Sequence, residues 1–345
     1  MIWTMYGKYS TEKAEIDREI EEITKRYSTP ATQELFRQMF TTVIKLHLDN
    51  ADIFDLRLIN ASLKELRHSF RIFHNYRGIP KVTIWGSARV KPDTKEYQMA
   101  LEFARTISKK GYMVITGGGG GVMEAGNCGG GNKSFAINIS LPNMQKPNPF
   151  VIKGEKLIEF KYFFDRKLMF VKESNATVLF PGGFGTNDEA FEILTLYQTG
   201  KSVPRPIIMI EPPGSTYWRS WLNFIKKEMI GGGFLPEEDL NLFTIVASAK
   251  KAAAEILDFY RVYNSIRFIG PTTIIRLNKK LPDFFIKRLN KDFADILTGG
   301  KIGACEPTAE EIKDKDLVKL PRLSMHFDRH RYGKLNLMIK KINES

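Results

Sequence analysis

The sequence Pro-Gly-Gly-Phe-Gly-Thr-Asn-Asp-Glu at 181–189 joins an apolar run at 176–180 to a helix-like segment that begins at Ala190. Proline and glycine break the strand that the apolar run predicts, and the chain then restarts as a helix. The first N–H groups of a helix have no partner within it, so this turn is suited to bind a phosphate. Glu189 adds a carboxylate beside the bound group. An ordinary strand-to-helix turn with a first-turn acid is the alternative.

Five consecutive glycines at 117–121 form a second loop of this kind, between a strand-like segment and a helix start at Met123. Glycine loses the most conformational freedom on folding, so such a run indicates backbone that approaches a ligand closely or adopts positive φ. A flexible loop is the alternative for the glycines. For Met123, which we expect to contact the ligand, a place in the core is the alternative.

Gly86 and Ser87 end a third apolar run at 81–85, so three strand-like runs end in glycine-containing turns. Helical periodicity at 97–110 and strand-like alternation at 134–140 lie between them. Alternating strands and helices predict an α/β fold, with a doubly wound, parallel, Rossmann-like sheet whose carboxyl edge holds all three turns. No dinucleotide fingerprint with its downstream acidic residue stands out, so NAD is not expected.

The chain divides by pattern into three regions: a helical N-terminal region at 1–79, the Rossmann-like domain at 80–260 and a basic α+β extension at 261–345. Thr29 and Pro30 have the pattern of an N-cap followed by the first residue of a helix. In the outer regions we expect further helices at 12–26, 52–73 and 282–297, and a strand at 272–277.

Composition limits the compartment and the partners. No apolar run approaches the roughly 18 residues of a membrane helix, and 1–8 lacks the pattern of a signal peptide. Only Cys128 and Cys305 are present, so we expect a reducing, cytoplasmic location without a disulfide framework. The net charge of +13 comes from dispersed residues without interleaved aromatics, so a nucleic-acid partner is not expected.

A metal site is not expected either. His326 and His330 have the spacing of two ligands on a helix, but Asp328 is the one carboxylate beside them. A pyridoxal phosphate enzyme would need a Schiff-base lysine beside the glycine loops, and none stands out there.

Four motifs, in order, resemble the LOG (Lonely Guy) family of nucleoside 5′-monophosphate phosphoribohydrolases, long described as lysine decarboxylases. They are Gly-Ser-Ala-Arg at 86–89, Thr-Gly-Gly-Gly-x-Gly-Val-Met-Glu-Ala at 116–125, Phe-Asp-Arg-Lys at 164–167 and Pro-Gly-Gly-x-Gly-Thr-x-x-Glu at 181–189. The resemblance covers about residues 80–260, and the flanking regions resemble the extensions of the family's longer members.

The resemblance implies hydrolysis of the N-glycosidic bond of AMP-like nucleotides or cytokinin ribotides, without cofactor or metal, by a homodimer or larger homo-oligomer. Such a reaction passes through a ribosyl cation and needs a nearby carboxylate, for which Glu189 is the candidate. Arg166 matches the family's catalytic arginine, and its planar, charged fork is suited to ribose and phosphate oxygens. A non-catalytic nucleotide-binding regulator is the alternative function, and a DNA-binding Rossmann protein is a third.

The remaining site residues are predicted to bind substrate. Glu192 lies one turn after Glu189 and is expected to hold ribose hydroxyls or to tune Glu189, with a solvated surface carboxylate as the alternative. The apolar side of the helix after Glu189 fits a subunit interface, through Phe191, Leu194, Leu196 and Tyr197. The full predicted substrate-binding set is Gly86, Ser87, Gly118, Gly119, Gly121, Met123, Lys167, Gly182, Gly183, Gly185, Thr186 and Glu192.

Overall fold

The structure is a computed structural model of the 345-residue chain that describes residues 9–141, 146–151 and 154–345. It divides into two compact units, Met1–Arg67 and His68–Ser345. The second unit contains both the Rossmann-like region and the C-terminal extension. The three-part division at 79/80 and 260/261 therefore stays a prediction about sequence regions.

The N-terminal unit is helical, as the sequence predicts. Its helices are α1 (Ala14–Tyr27), α2 (Gln33–Leu48) and α3 (Ile53–His74), the last of which continues into the second unit. Asp52 caps α3, because its Oδ1 accepts hydrogen bonds from two N–H groups of the first turn. The predicted cap of α2 is wrong, since the carbonyl of Thr29 accepts from the N–H groups of Thr32 and Gln33 in a turn that precedes the helix.

The second unit is built on a seven-stranded parallel sheet, which confirms the doubly wound Rossmann-like fold. The strand order is β4-β3-β2-β1-β5-β6-β7. The strands are β1 (Lys81–Trp85), β2 (Met113–Thr116), β3 (Ser134–Ile139), β4 (Leu157–Phe160), β5 (Ala176–Leu179), β6 (Ile207–Ile210) and β7 (Thr244–Val246). The two edge strands, β4 and β7, were not predicted, because they are only four and three residues long.

Helices cover both faces of this sheet. They are α4 (Lys95–Lys109), α5 (Val122–Gly130), α6 (Phe163–Glu173), α7 (Phe184–Gln198), α8 (Tyr217–Phe224) and α9 (Ala249–Phe259). Apolar residues of α4, α5 and α9 form one core with Val82, Ile84 and Val178 of the sheet. Trp85 points to the other face, where its ring centroid lies 4.1 Å from that of Phe170 on α6.

The C-terminal extension has the predicted α+β character. It contains β8 (Tyr263–Ile269), β9 (Thr272–Leu277), α10 (Asp283–Asp292), β10 (Leu297–Ala304), α11 (Ala309–Asp314), β11 (Arg322–Phe327) and α12 (Tyr332–Ile342). Its sheet is antiparallel in the order β10-β11-β9-β8. The predicted helix at 282–297 ends early, because Leu297 already pairs with Phe327. His326 lies on a strand, so it does not share a helix with His330.

Helix α12 packs back onto the parallel-sheet region. The buried hydroxyl of Tyr197 on α7 donates to Asn336 Oδ1 at 2.8 Å. The prediction that Tyr197 lies in a subunit interface is therefore wrong, because α12 of the same chain covers it. Phe191 on the same helix packs against Trp221, with 5.5 Å between ring centroids. Within the described ranges, the helices are too short or too polar to cross a membrane.

Candidate active site

A cavity of about 750 Å³ opens at the carboxyl edge of the parallel sheet, as the strand-end turns predict. Its lining comes from the ends of β1, β2, β3 and β5 and from the first turns of α6 and α7. It is lined by Trp85, Gly86, Ser87, Ala88, Arg89, Gly117, Met123, Ile139, Leu141, Phe163, Arg166, Gly182, Gly183, Phe184, Gly185, Thr186, Asn187, Asp188 and Glu189. Both predicted catalytic residues are among them.

The turn at 181–185 presents free backbone donors at the start of α7. Helix α7 begins directly after Gly183, whose carbonyl accepts from the N–H groups of Thr186 and Asn187 at 3.1 and 3.2 Å. Within the described part of the chain, the N–H groups of Gly183, Phe184 and Gly185 donate no hydrogen bond. Three neighbouring unpaired N–H groups at the positive end of a helix suit an anion.

Arg166 lies in the first turn of α6 with only 7% of its surface exposed. Its Nε donates to the carbonyl of Ile137 at 3.0 Å, and its guanidinium lies 5.3 Å from the ring centroid of Phe170 and 5.6 Å from that of Trp85. Burial lowers the pKa of the guanidinium, and the charge of Glu189 opposes that change. No described residue accepts a hydrogen bond from its two terminal nitrogens, which are therefore available to a ligand.

Gly117 makes room for this guanidinium. A Cβ atom at this position would come within 2.5 Å of Arg166 Nη2 and 2.7 Å of Met123 Sδ. The absence of a side chain at the end of β2 thus lets Arg166 and Met123 lie side by side in the cavity.

Glu189 is a buried carboxylate in the first turns of α7, with 8% of its surface exposed. Among the described residues it has no hydrogen-bond or ion-pair partner. Burial raises its pKa to about 7, although the positive charges of Lys167 and Arg166 act in the opposite direction. A carboxyl group that titrates near neutrality is suited to take up or release a proton during a reaction.

Lys167 and Glu192 lie outside the cavity lining and pair with each other instead. Lys167 Nζ is 2.9 Å from Glu192 Oε2 and 2.8 Å from Asp188 Oδ1. The ammonium therefore links α6 to two carboxylates of α7, one before Glu189 in the sequence and one after it. The negative charge of Glu192 raises the pKa of Glu189. Asp188 was missed as a partner, although a second acid beside Glu189 was a visible signal.

The inner glycines of the 117–121 loop also lie outside the lining, unlike Gly117. Gly118 and Gly121 have positive φ of 74° and 62°, and a Cβ on Gly121 would collide with the carbonyl oxygen of Ser87. Asn148 Nδ2 donates to the carbonyls of Gly118 and Gly119 at 3.1 and 3.0 Å. These three glycines shape the loop instead of facing the cavity. No sequence signal linked Asn148 to them, because it lies about thirty residues downstream.

Apolar cavity residues were also missed. Phe163 and Phe184 adjoin the Arg-Lys and Pro-Gly-Gly motifs, and Phe184 is 96% exposed beside the free N–H groups. Their position next to the motifs was the available signal. With Trp85, Met123 and Leu141 they give the cavity an apolar part suited to a flat ring.

The family model described as "Possible lysine decarboxylase" matches residues 109–256. The cytokinin riboside 5′-monophosphate phosphoribohydrolase LOG1 of Arabidopsis thaliana is 27% identical over 167 residues, which cover 46% of this chain and 74% of that protein. An uncharacterized protein of Archaeoglobus fulgidus is 31% identical over 122 residues, covering 34% of this chain and 77% of the relative.

Among solved structures, the molybdenum cofactor binding protein of Rippkaea orientalis is similar at 19% identity and a TM-score of 0.38, over 52% of this chain and 96% of that one. The family model covers the region that holds most of the cavity lining. The chain belongs to the LOG family, whose model keeps the older description as possible lysine decarboxylases.

Proposed function

We propose that the protein hydrolyses the N-glycosidic bond of nucleoside 5′-monophosphates, AMP-like or cytokinin ribotides, to free base and ribose 5-phosphate. The observation that carries the proposal is that Arg166 and Glu189 share one cavity with the free N–H groups of the Pro-Gly-Gly turn. An anion-binding turn, a permanent cation and a buried acid are the groups that this reaction needs. The relatives named as phosphoribohydrolases support the same reaction class.

The phosphate end of the substrate is assigned to the start of α7. The N–H groups of Gly183, Phe184 and Gly185 supply donors there, and the helix dipole adds a favourable field. Arg89 lines the same cavity and supplies a second positive charge. This end would favour nucleotides over unphosphorylated nucleosides.

The reacting end is assigned to Glu189 and Arg166. As the bond from C1′ to the base nitrogen breaks, positive charge develops on the ribose, and an ionised Glu189 stabilises it. Water attacks C1′ and gives up a proton, which Glu189 accepts, while the departing base takes a proton from solvent. Arg166 holds ribose and phosphate oxygens, so the sugar is fixed against the carboxylate. Only water and side chains of the chain enter these steps, and we propose no cofactor.

The test is to incubate the protein with nucleoside monophosphates and the matching nucleosides and to measure released base. We expect turnover of monophosphates and little turnover of nucleosides. Glu189→Gln and Arg166→Ala are expected to lower kcat/KM by at least about a hundredfold, the range of a lost general acid–base or electrostatic group. Glu102→Gln, an exposed glutamate on α4, is the matched control and keeps wild-type activity.

The outcome separates the alternatives. Nucleotide binding without base release would favour a regulatory nucleotide-binding protein and overturn the hydrolase. Salt-sensitive DNA binding without hydrolysis would favour the third alternative. We further propose a homo-oligomer, to be tested by light scattering of the full chain, in which a monomer would contradict the proposal.

A further inference from the structure

We propose that Tyr217, which lies outside the cavity lining, is a positioning residue for phosphate binding. Its hydroxyl group fixes the peptide between Gly182 and Gly183, so that the N–H group of Gly183 faces the bound phosphate. The inference rests on the proposed function, because it assigns a phosphate to this turn. Tyr217 belongs to α8, which follows β6, and is outside all four family motifs quoted above.

The direction of the hydrogen bonds around Tyr217 is fixed by the groups involved. The hydroxyl donates its one proton to the carbonyl of Gly182 at 2.6 Å and accepts from Asn187 Nδ2 at 2.7 Å. The same Nδ2 group donates to the carbonyl of Gly183 at 3.1 Å. Turning the amide over would place its oxygen against that carbonyl oxygen. The chain of donors therefore runs one way, from Asn187 through Tyr217 to Gly182.

The hydrogen bond from Tyr217 to the carbonyl of Gly182 also determines the direction of the Gly183 N–H group, because both groups belong to one trans peptide. In a trans peptide the C=O and N–H bonds point in opposite directions, and the described chain has no cis peptide bond. The carbonyl of Gly182 points to Tyr217, which is outside the cavity lining, so the N–H of Gly183 points away from Tyr217. Gly182 and Gly183 both line the cavity. The free N–H group is thus held on the side where a phosphate would lie.

We call the hydrogen bond from the Tyr217 hydroxyl to the carbonyl of Gly182 the brace. The peptide needs it because glycine does not restrict its own backbone. Gly182 and Gly183 have no side chain to limit rotation of the peptide between them. Without the Tyr217 hydroxyl, the peptide could rotate and present its carbonyl oxygen to the phosphate, which would repel it. The brace therefore acts before the ligand arrives, by reducing the ordering that binding requires.

The test compares Tyr217→Phe with wild type in titrations with inorganic phosphate and with ribose 5-phosphate. We expect the affinity for both to fall about fivefold to tenfold, the effect of one lost hydrogen bond. With nucleotide substrate, KM should rise by a similar factor while kcat changes less. With selective ¹⁵N-glycine labelling, the amide resonance of Gly183 should shift on phosphate addition in wild type and shift less in the variant.

Tyr260→Phe is the matched control. Tyr260 also donates to a backbone carbonyl, that of Asn175, at 2.6 Å. Asn175 precedes the first residue of β5, whereas Gly182 follows the last residue of that strand. This variant should lose a hydrogen bond without losing phosphate affinity. Equal losses of affinity in both variants would mean a general effect on stability and would overturn the inference.

The outcomes also separate this inference from the proposed function. Unchanged phosphate affinity in Tyr217→Phe, with normal base release, would overturn the inference and leave the hydrolase intact. Lost affinity in the variant, with no base release by wild type, would support the brace and overturn the hydrolase. A wild-type protein that binds neither phosphate nor ribose 5-phosphate would overturn the brace.

Discussion

At the residue scale, Glu189 determines most of the expected chemistry. It is buried in the cavity that Arg166 also lines and makes no ion pair within the described residues, and burial outweighs the charges of Lys167 and Arg166 in setting its pKa. A structural role would favour a paired carboxylate, since an unpaired buried charge lowers stability. We therefore expect Glu189 to lower the free energy of unfolding while providing a carboxylate that can exchange a proton near neutral pH.

This trade predicts a pH-dependent stability difference for Glu189→Gln. Because the folded-state pKa of about 7 lies above the ordinary 4.5, the folded state binds more protons in that window and wild type loses stability as the pH rises through it. The variant lacks this loss, so relative to wild type it should gain up to about 3 kcal/mol between pH 4.5 and pH 8. Urea unfolding at both pH values measures the free energy of unfolding of each protein. A difference between variant and wild type that does not change with pH would contradict the prediction.

Lys167 is expected to set the protonation of Glu189 from outside the cavity. Its positive charge lowers the pKa of Glu189, so Lys167→Met should raise that pKa further. Because the proposed reaction uses the ionised carboxylate, the acidic limb of the kcat/KM profile should move to higher pH and activity at neutral pH should fall. Lys172→Met, on the same helix and paired with Glu173, is the control. A drop in activity of equal size at every pH would contradict this role.

At the element scale, the strand-end turns were the predictable part of the site. Apolar runs that end in glycine identify the strand ends, and a parallel sheet brings those ends to one edge. The inner glycines of 117–121 were not predictable in the same way. The glycine run indicated positive φ, but the contacts with Asn148 depend on how the loop folds back, which a local pattern does not specify.

Gly117→Ala tests whether the end of β2 positions Arg166. The new Cβ would press on the far ends of the long side chains of Arg166 and Met123 rather than on backbone, so the substitution should cost little in folding. We expect kcat/KM to fall at least about tenfold, because small displacements of a catalytic group are costly, while the melting temperature changes little.

Gly299→Ala is the control for that substitution. Gly299 lies in β10, and an added Cβ there meets no atom within 4 Å. Its activity should match wild type. Full activity of Gly117→Ala would show that the position of the guanidinium does not depend on this glycine.

At the scale of the whole molecule, the C-terminal extension belongs to the same compact unit as the parallel sheet. Its α+β character was visible in the sequence, but its docking was not. The contacts that join it, such as Tyr197 with Asn336, link residues far apart in sequence. Local patterns carry no information on such pairs, which is why Tyr197 was assigned to a subunit interface.

Asn343→Ala is expected to destabilise the parallel-sheet region from the far end of the chain. The buried Asn343 side chain accepts from the N–H groups of Val262 and Tyr263 and donates to the carbonyl of Phe259. Removing it leaves three buried polar groups unpaired, at a cost of about 3 kcal/mol in the free energy of unfolding. Asn264→Ala, which removes an exposed hydrogen bond between Asn264 on β8 and Asn278, should cost less than about 1 kcal/mol.

Tryptophan fluorescence measures the effect of Asn343→Ala outside the C-terminal extension. All four tryptophans precede residue 261, so they do not report on the extension itself. We expect the urea midpoint by fluorescence to fall together with that by circular dichroism. A shift in circular dichroism alone would mean that the extension unfolds separately.

A product balance for one nucleoside monophosphate distinguishes cleavage of the N-glycosidic bond from cleavage of the phosphate ester. Free base, ribose 5-phosphate and inorganic phosphate are quantified in the same reaction, with wild type and with Glu189→Gln. We predict base and ribose 5-phosphate in equal amounts, no inorganic phosphate, and formation of both products at least about a hundredfold slower in the variant. Release of phosphate in place of base, or equal base release by both proteins, would contradict the account.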